Sequence, residues 1–518
     1  MAEAFDAVCI GSGINALAAA LMLSAKGWRV AVFEANAEAG GAVRSGEYTL
    51  PGFRHDWAAM NLSLLAGGAF FKAHGEELGR HGLSLVPVSR PFASSFADGW
   101  AGVSTDAGET RASLAAHSSR DAEAFLAMAK AFPAEAPHLF GLLGSPMTTR
   151  ALSGVAWRAW RAKGAAGTLD LGRFLLQSPR AWLCETFESE AVRALLGAWG
   201  MHLDFAPDVA GGALFPYLEG MAGHLFGMAL AQGGAGAASG AVVAALRARG
   251  GVVETGAPVA RVLREGDRAT GVELADGRRV EARRAVIAGV APSGLLRLTA
   301  TAPAFDAALR RFRHAPGTLM VHVALDGPPE WRHAPLKGYA YVHLAPTLDA
   351  MARAYAEAQA GLLPAEPVVV VGQPTVFDPS RAPEGRHVLW VQVRMAPGTI
   401  RGDARGEIAA TSWEEAGGPF AERVLAILEC HAPGTRAKVL GMRVVTPLDL
   451  ERDNPNLVGG DQVTGSHHLS QHFLFRPARG HADGSTPIRN LHMTGAAVWP
   501  GAGTGAGAGF LLARRLAR

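Results

Sequence analysis

The sequence predicts an α/β protein: a Rossmann-type domain, discontinuous along the chain, into which an α+β domain is inserted. Three observations carry this. A short apolar run at the amino end meets a glycine turn, a helix and a second apolar run. A strand-like segment near the carboxyl end opens onto a glycine-rich loop and a terminal helix. A third glycine segment in mid-chain, Gln232 to Gly236, precedes another helix and a set of strands.

Bulk properties set the bounds. At 518 residues the chain is long enough for roughly two to four structural units. Apolar residues at 49% and charged residues at 18% suit a large globular core and speak against extended disorder. The 64 glycines have two readings, close backbone approaches to a ligand or a biased base composition, and only their spacing separates the two. The net charge is +3, so no nucleic-acid partner is expected. Cys9, Cys184 and Cys430 contain no CxxC pair, which speaks against a disulfide framework, a zinc ribbon and a dithiol redox centre. No metal site is expected. The amino end lacks a basic region and a cleavage site, so no secretory signal is expected. The most apolar long stretch, Val209 to Ala238, is interrupted by Pro216, Glu219, His224 and many glycines. A soluble, cytoplasmic protein is the expectation.

Phe5 to Ile10 has the shape of a buried parallel strand. It runs into Gly11-Ser12-Gly13-Ile14-Asn15-Ala16, then a helix from Leu17 to Lys26 ending at Gly27. Trp28 to Phe33 is the second strand, closed by Glu34 and Ala35. Gly11 permits the tight turn, Gly13 admits a pyrophosphate to the backbone, and the small Ala16 lets helix pack on strand. The helix start offers free N–H groups and partial positive charge to phosphates. Glu34, 21 residues past Gly13, sits where an acid accepts hydrogen bonds from ribose hydroxyls and disfavours a 2′-phosphate. Dinucleotide binding follows from the combination.

The next segment, Ala39-Gly40-Gly41-Ala42-Val43-Arg44-Ser45, resembles the G-G-x-x-R-[ST] continuation of the amine-oxidase and carotenoid-desaturase flavoproteins. In those families the glycines let the loop touch the FAD pyrophosphate and the arginine lies against the cofactor. At the other end, Ile488 to Thr494 reads as a strand. Gly495-Ala496-Ala497-Val498-Trp499-Pro500-Gly501-Ala502-Gly503-Thr504-Gly505-Ala506 follows, then a helix from Gly507 to Ala517. The chain as a whole resembles the phytoene-desaturase-like flavoproteins, whose carboxyl-terminal motif reads G-A-G-x-H-P-G-G/A-G-x-x-G. Gly495, Ala496, Pro500, Gly501 and Gly503 match it, while Ala497 replaces a glycine and Trp499 the histidine. Asn454 to Asp461 and Phe475-Arg476-Pro477 resemble the branch that contains pyridine nucleotide-disulfide oxidoreductase domain-containing protein 2. The resemblance implies FAD, held by Gly11, Gly13, Asn15, Ala16, Glu34, Ala35, Gly40, Gly41, Arg44, Val259, Gly495, Ala496, Pro500, Gly501, Gly503 and Thr504.

In mid-chain a helix from Ala241 to Arg249 precedes strands at Val252 to Thr255 and Ala257 to Val262. A hairpin about Asp276-Gly277 follows, then a separate buried strand from Ala285 to Gly289. The resemblance implies that the backbone at Val259 touches adenine. The cofactor domain is expected at 1–100, 210–300 and 440–518, and the substrate domain at 100–210 and 300–440. In the latter, strands at Leu319 to Leu325, Val368 to Gly372 and Val388 to Val393 are expected to wall a cavity over the flavin.

A flavin accepts a hydride at N5, and the protein's task is to place a C–H bond there and exclude water. No acid–base dyad is evident. The catalytic candidates are Trp499, as an aromatic wall where relatives have an imidazole, and His468 and His472, with His467, as imidazoles beside the ring. The competing reading of the histidines is loop hydrogen bonding, and Asp56 is expected to fix the loop after the double glycine. Arg150 to Lys163 pairs Trp157 and Trp160 with Arg158, Arg161 and Lys163. It is expected to cap the substrate domain, with contact at a membrane surface as the alternative. The resemblance implies oxidation of a small hydrophobic substrate, with oxygen or a quinone as electron acceptor. A redox-neutral isomerase using reduced FAD and a non-catalytic flavin-bearing protein are the rival expectations.

Overall fold

The computed structural model describes residues 3–518. Two seven-stranded sheets organise it. The first forms around Glu3–Ile10, whose last four residues are fully enclosed. That strand pairs in parallel with Val30–Phe33 on one side and with Arg279–Ala288 on the other. Such two-sided burial explains the unbroken apolar runs. Val252–Glu254 extends this sheet beyond Val30–Phe33, and the hairpin strands Val259–Glu265 and Arg268–Leu274 extend the opposite side. Arg279–Ala288 is one strand, not the two that the sequence suggested. Its first half pairs with the hairpin, and Val286–Ala288 pair in parallel with Leu491–Met493 from the far end of the chain. Arg283 and Arg284 interrupt the apolar pattern because that stretch is exposed before the strand becomes buried.

The second sheet runs Val439–Val445, Gly317–Leu325, His387–Ala396, Val369–Gly372, Tyr341–Leu344, Phe92–Ser95, Trp100–Val103. Its pairing departs from the expected domain limits. Phe92–Ser95 lies parallel to Tyr341–Leu344, and Val439–Val445 lies antiparallel to Gly317–Leu325. Each fills an edge that the 300–440 strands leave open, so both belong with that sheet. Helices Ser119–Leu143, Pro179–Thr186, Glu190–Gly197 and Leu214–Phe226 pack a large aromatic and aliphatic core against its Phe92, Tyr341 and Trp390.

The two ends of the chain meet through a helix crossing. Helix Gly507–Leu516 lies against Ile14–Ser24 so closely that a Cβ on Gly509 would stand 1.9 Å from the Asn15 carbonyl oxygen. The Gly509 N–H donates to Asn15 Oδ1 at 3.2 Å. Only glycine permits that approach, and it brings the carboxyl-terminal loop to the amino-terminal turn.

Candidate cofactor and substrate cavity

A cavity of about 650 Å³ is lined by both ends of the chain and by the second sheet. At one end stands the first strand–turn–helix unit. Glu34 is buried and accepts from the Ser12 N–H at 2.8 Å, the Ser12 hydroxyl at 2.6 Å and the Asn36 N–H at 2.9 Å. Ser12 Oγ in turn accepts from the Gly40 N–H at 3.0 Å. One carboxylate thus fixes the first turn and, through Ser12, the loop that carries the double glycine.

This end fits FAD on its own geometry. Helix Ile14–Ser24 has no side-chain cap, so its first-turn N–H groups remain for an anion. A Cβ built on Gly13 or Gly495 would meet no protein atom within 4 Å, and both residues line the cavity. The bare backbone therefore faces ligand space. Thr494 Oγ1, also on the lining, is buried without a hydrogen-bond partner among the described residues. Gly11, Asn15, Ala16, Ala35, Gly40, Gly41, Val259, Ala496, Gly503 and Thr504 complete the lining from the residues expected to hold the cofactor.

Three residues expected to touch the cofactor stand behind this surface. The Arg44 guanidinium pairs with Asp453 and donates from Nε to the Gly41 carbonyl at 2.8 Å. It braces two lining residues from outside. Gly501 backs onto His467, whose Nε2 would lie 2.5 Å from an added Cβ. That nitrogen accepts from the Ala502 N–H at 3.1 Å. Burial, then the nearby Arg476, hold the His467 imidazole well below its ordinary pKa, so it is the neutral acceptor this bond requires. Pro500 lies under Gly507. The segment Gln232 to Gly236 likewise supports rather than lines the cavity. The Ala235 and Gly236 N–H groups donate to Asp56 Oδ1 at 2.7 Å and Ser45 Oγ at 2.8 Å.

None of the catalytic candidates Trp499, His468 and His472 lines the cavity. The Trp499 indole is 1% exposed and sits with Leu142, Met147 and Ala482. Its N–H donates to the Ser145 carbonyl at 2.7 Å, and its ring lies 5.2 Å from Phe473 and 4.9 Å from His472. An apolar slot with an acceptor at its end satisfies both halves of an indole, so the ring turns there. His468 Nε2 bonds the Asp204 carbonyl at 3.0 Å and the Tyr355 hydroxyl at 3.2 Å, which is the loop role. Asp56 fixes the loop as expected. Its Oδ1 accepts from the Ser45 hydroxyl at 2.6 Å and its Oδ2 from buried Arg381 at 2.5 Å.

The far end of the cavity is built by residues that sequence reasoning missed. Trp390, Gln392 and Arg394 project from one face of His387–Ala396, alternating with Val391 and Val393. Tyr341 stacks on Trp390 with ring centroids 5.5 Å apart, and Trp199, His202, Phe215 and Glu219 face the same space. The alternation W-V-Q-V-R inside an otherwise apolar strand was the available signal. Burial pushes the Glu219 carboxyl up to about 7.

Comparison with known proteins agrees with this geometry. Residues 9–71 match the family model for an NAD(P)-binding Rossmann-like domain, and residues 161–410 match that for flavin containing amine oxidoreductase. The chain is 30% identical to mouse (Mus musculus) pyridine nucleotide-disulfide oxidoreductase domain-containing protein 2, over 98% of this chain and 92% of that one. It is 27% identical to a phytoene dehydrogenase of Streptomyces griseus, over 96% and 91% respectively. The crystal structure of an oxidoreductase from Methanosarcina mazei shares the fold, with a TM-score of 0.63 at 18% identity over 98% of this chain and 99% of that one.

Proposed function

Because the chain belongs to the phytoene-desaturase-like branch of the FAD-dependent oxidoreductases, we propose that it moves a hydride from an apolar organic substrate to flavin N5. The observation that carries this reading is the continuity of the cavity. It runs from a glycine cradle to a chamber walled by Trp199, Phe215, Tyr341 and Trp390. FAD supplies a hydride acceptor when bound there. The chain's own residues do the rest. Glu34 and the bare backbone at Gly13 and Gly495 hold the dinucleotide, and the aromatic walls hold the substrate and exclude water. His202 is kept neutral by burial and by the nearby Arg394. Oxygen or a quinone takes the electrons onward.

The test is anaerobic photoreduction of the FAD-loaded protein, followed by a panel of apolar alcohols, amines and polyenes offered to the oxidised form. Bleaching of the flavin by a member of the panel supports the reading. A flavin that none of them reduces refutes it and favours a binding role. Fast reoxidation by oxygen points to an oxidase, and reoxidation only by a quinone to a dehydrogenase.

A further inference from the structure

Arg394 has a position that the reaction as described does not use. It lines the substrate chamber and is 7% exposed. It forms no ion pair among the described residues. Nη2 donates to the His202 carbonyl at 2.6 Å and Nη1 to Thr318 Oγ1 at 3.4 Å, while Nε has no acceptor. The acids whose charge reaches it, Asp461 and Asp204, stand beyond ion-pair distance. Asp461 accepts the N–H groups of Ala315, Val463 and Gly465, while Asp204 Oδ1 accepts from the Tyr355 hydroxyl and its Oδ2 lies 3.2 Å from His468 Nε2. Burial lowers the guanidinium only to about 10, so it stays cationic at neutral pH.

Its neighbours on the lining share the deficit. Trp390 Nε1 and Gln462 Nε2 are both buried donors without acceptors. A buried charge that lacks a partner is costly, and three donors left open around one chamber call for an acceptor-rich ligand group. Arg394 and Trp390 project from the substrate-side sheet rather than from the glycine cradle. The cradle and helix start at the other end already supply the site for the phosphates.

We propose that the substrate is an apolar molecule bearing a carboxylate, and that Arg394 binds that carboxylate and so sets the substrate's orientation and class. The proposal rests on reading this chamber as the substrate site. The apolar body would lie along Trp199, Phe215 and Tyr341, with its acid group at Arg394. Arg394 is then a specificity residue with no part in the hydride step.

The experiment is isothermal titration of the FAD-loaded protein with octanoate and with octanamide, its neutral counterpart. Flavin content is measured in parallel by visible absorbance. Octanoate is expected to bind at least about 10-fold more tightly than octanamide, and Arg394→Gln to weaken octanoate about 10- to 100-fold with flavin content unchanged. Arg394→Lys, which keeps the charge without the planar fork, is expected to restore part of the loss. Equal affinity for the two probes, or no octanoate binding, overturns the proposal on the wild-type protein alone. An octanoate affinity that Arg394→Gln leaves unchanged, or a loss of FAD in its place, also overturns it and assigns the guanidinium to the flavin. Failure of the oxidoreductase reading looks different, because octanoate would bind at Arg394 in a protein whose flavin no substrate reduces.

Discussion

Adding one methyl group at residue 13 should separate the fold of this protein from its cofactor. Gly13 has φ −59° and ψ 154°, a conformation open to any residue, and a Cβ there meets no protein atom within 4 Å. Gly13→Ala should therefore leave the apoprotein as stable as before, or more stable by about 0.4–1 kcal/mol through the stiffer unfolded chain. The methyl would project into the space beside the uncapped start of helix Ile14–Ser24. Displacing a phosphate from two backbone N–H groups, at about 1.5–3 kcal/mol for each hydrogen bond to a charged group, costs about 3–6 kcal/mol. FAD affinity should fall by about 10²- to 10⁴-fold. Thermal unfolding of the apoprotein and a titration with FAD read the two effects separately. Gly509→Ala is the opposite control. Its Cβ would strike the Asn15 carbonyl at 1.9 Å, forcing two helices apart at a cost of about 3 kcal/mol or more. That variant should melt early even without cofactor. If Gly13→Ala binds FAD as the wild type does, or if it melts early while Gly509→Ala does not, the cradle argument is wrong.

Other consequences are open to measurement. Asp56→Ala removes the carboxylate that holds buried Arg381 and the Ser45 hydroxyl. A loss of about 3 kcal/mol or more is expected, and an unchanged denaturation midpoint would show that Asp378 suffices to neutralise Arg381. Glu219 has a folded pKa near 7 against an ordinary 4.5. Between those values the folded carboxyl keeps a proton that the unfolded one has released, so stability falls as pH rises through the window, by about 3 kcal/mol in all. Glu219→Gln should flatten that fall in the apoprotein, and a slope that survives the substitution would place its origin elsewhere. Trp157 and Trp160 are 56% and 53% exposed on helix Thr149–Leu176. Their rings point away from the core while Leu152 and Val155 of the same segment pack inward, and we propose that the exposed face, with Arg158 and Arg161, meets a membrane surface. Flotation with anionic vesicles, lost in a Trp157→Ser, Trp160→Ser double variant, is the expected result. Failure of the wild type to float removes that partner.

Much of the cofactor end was legible because it is written in contiguous segments. The turn at Gly11 and Gly13, the helix after it and the acid at Glu34 lie within one strand–helix–strand unit, so their spacing alone fixes where each points. The same holds for Gly495, which follows the strand Leu491–Met493 directly. Legibility fell where a side chain had more than one neighbour to choose. Arg44 turned to Asp453 instead of the cavity, and Trp499 turned away to Ser145, because partners hundreds of residues distant offered a better match. Composition suggested two uses for His468, and only Asp204 and Tyr355 beside it decide between them.

The sequence by itself therefore determined the dinucleotide fold, since local backbone geometry and helix polarity depend on residue order over some tens of positions, while FAD in particular followed from the family resemblance. Tertiary structure alone decided the aromatic chamber. Glu219, Tyr341 and Arg394 lie on separate helices and strands and Trp199 in a turn, and no spacing rule relates them. They share one space because sheet pairing, driven by burial of the valine-rich strands between them, leaves the alternate face of His387–Ala396 turned toward the cofactor cavity.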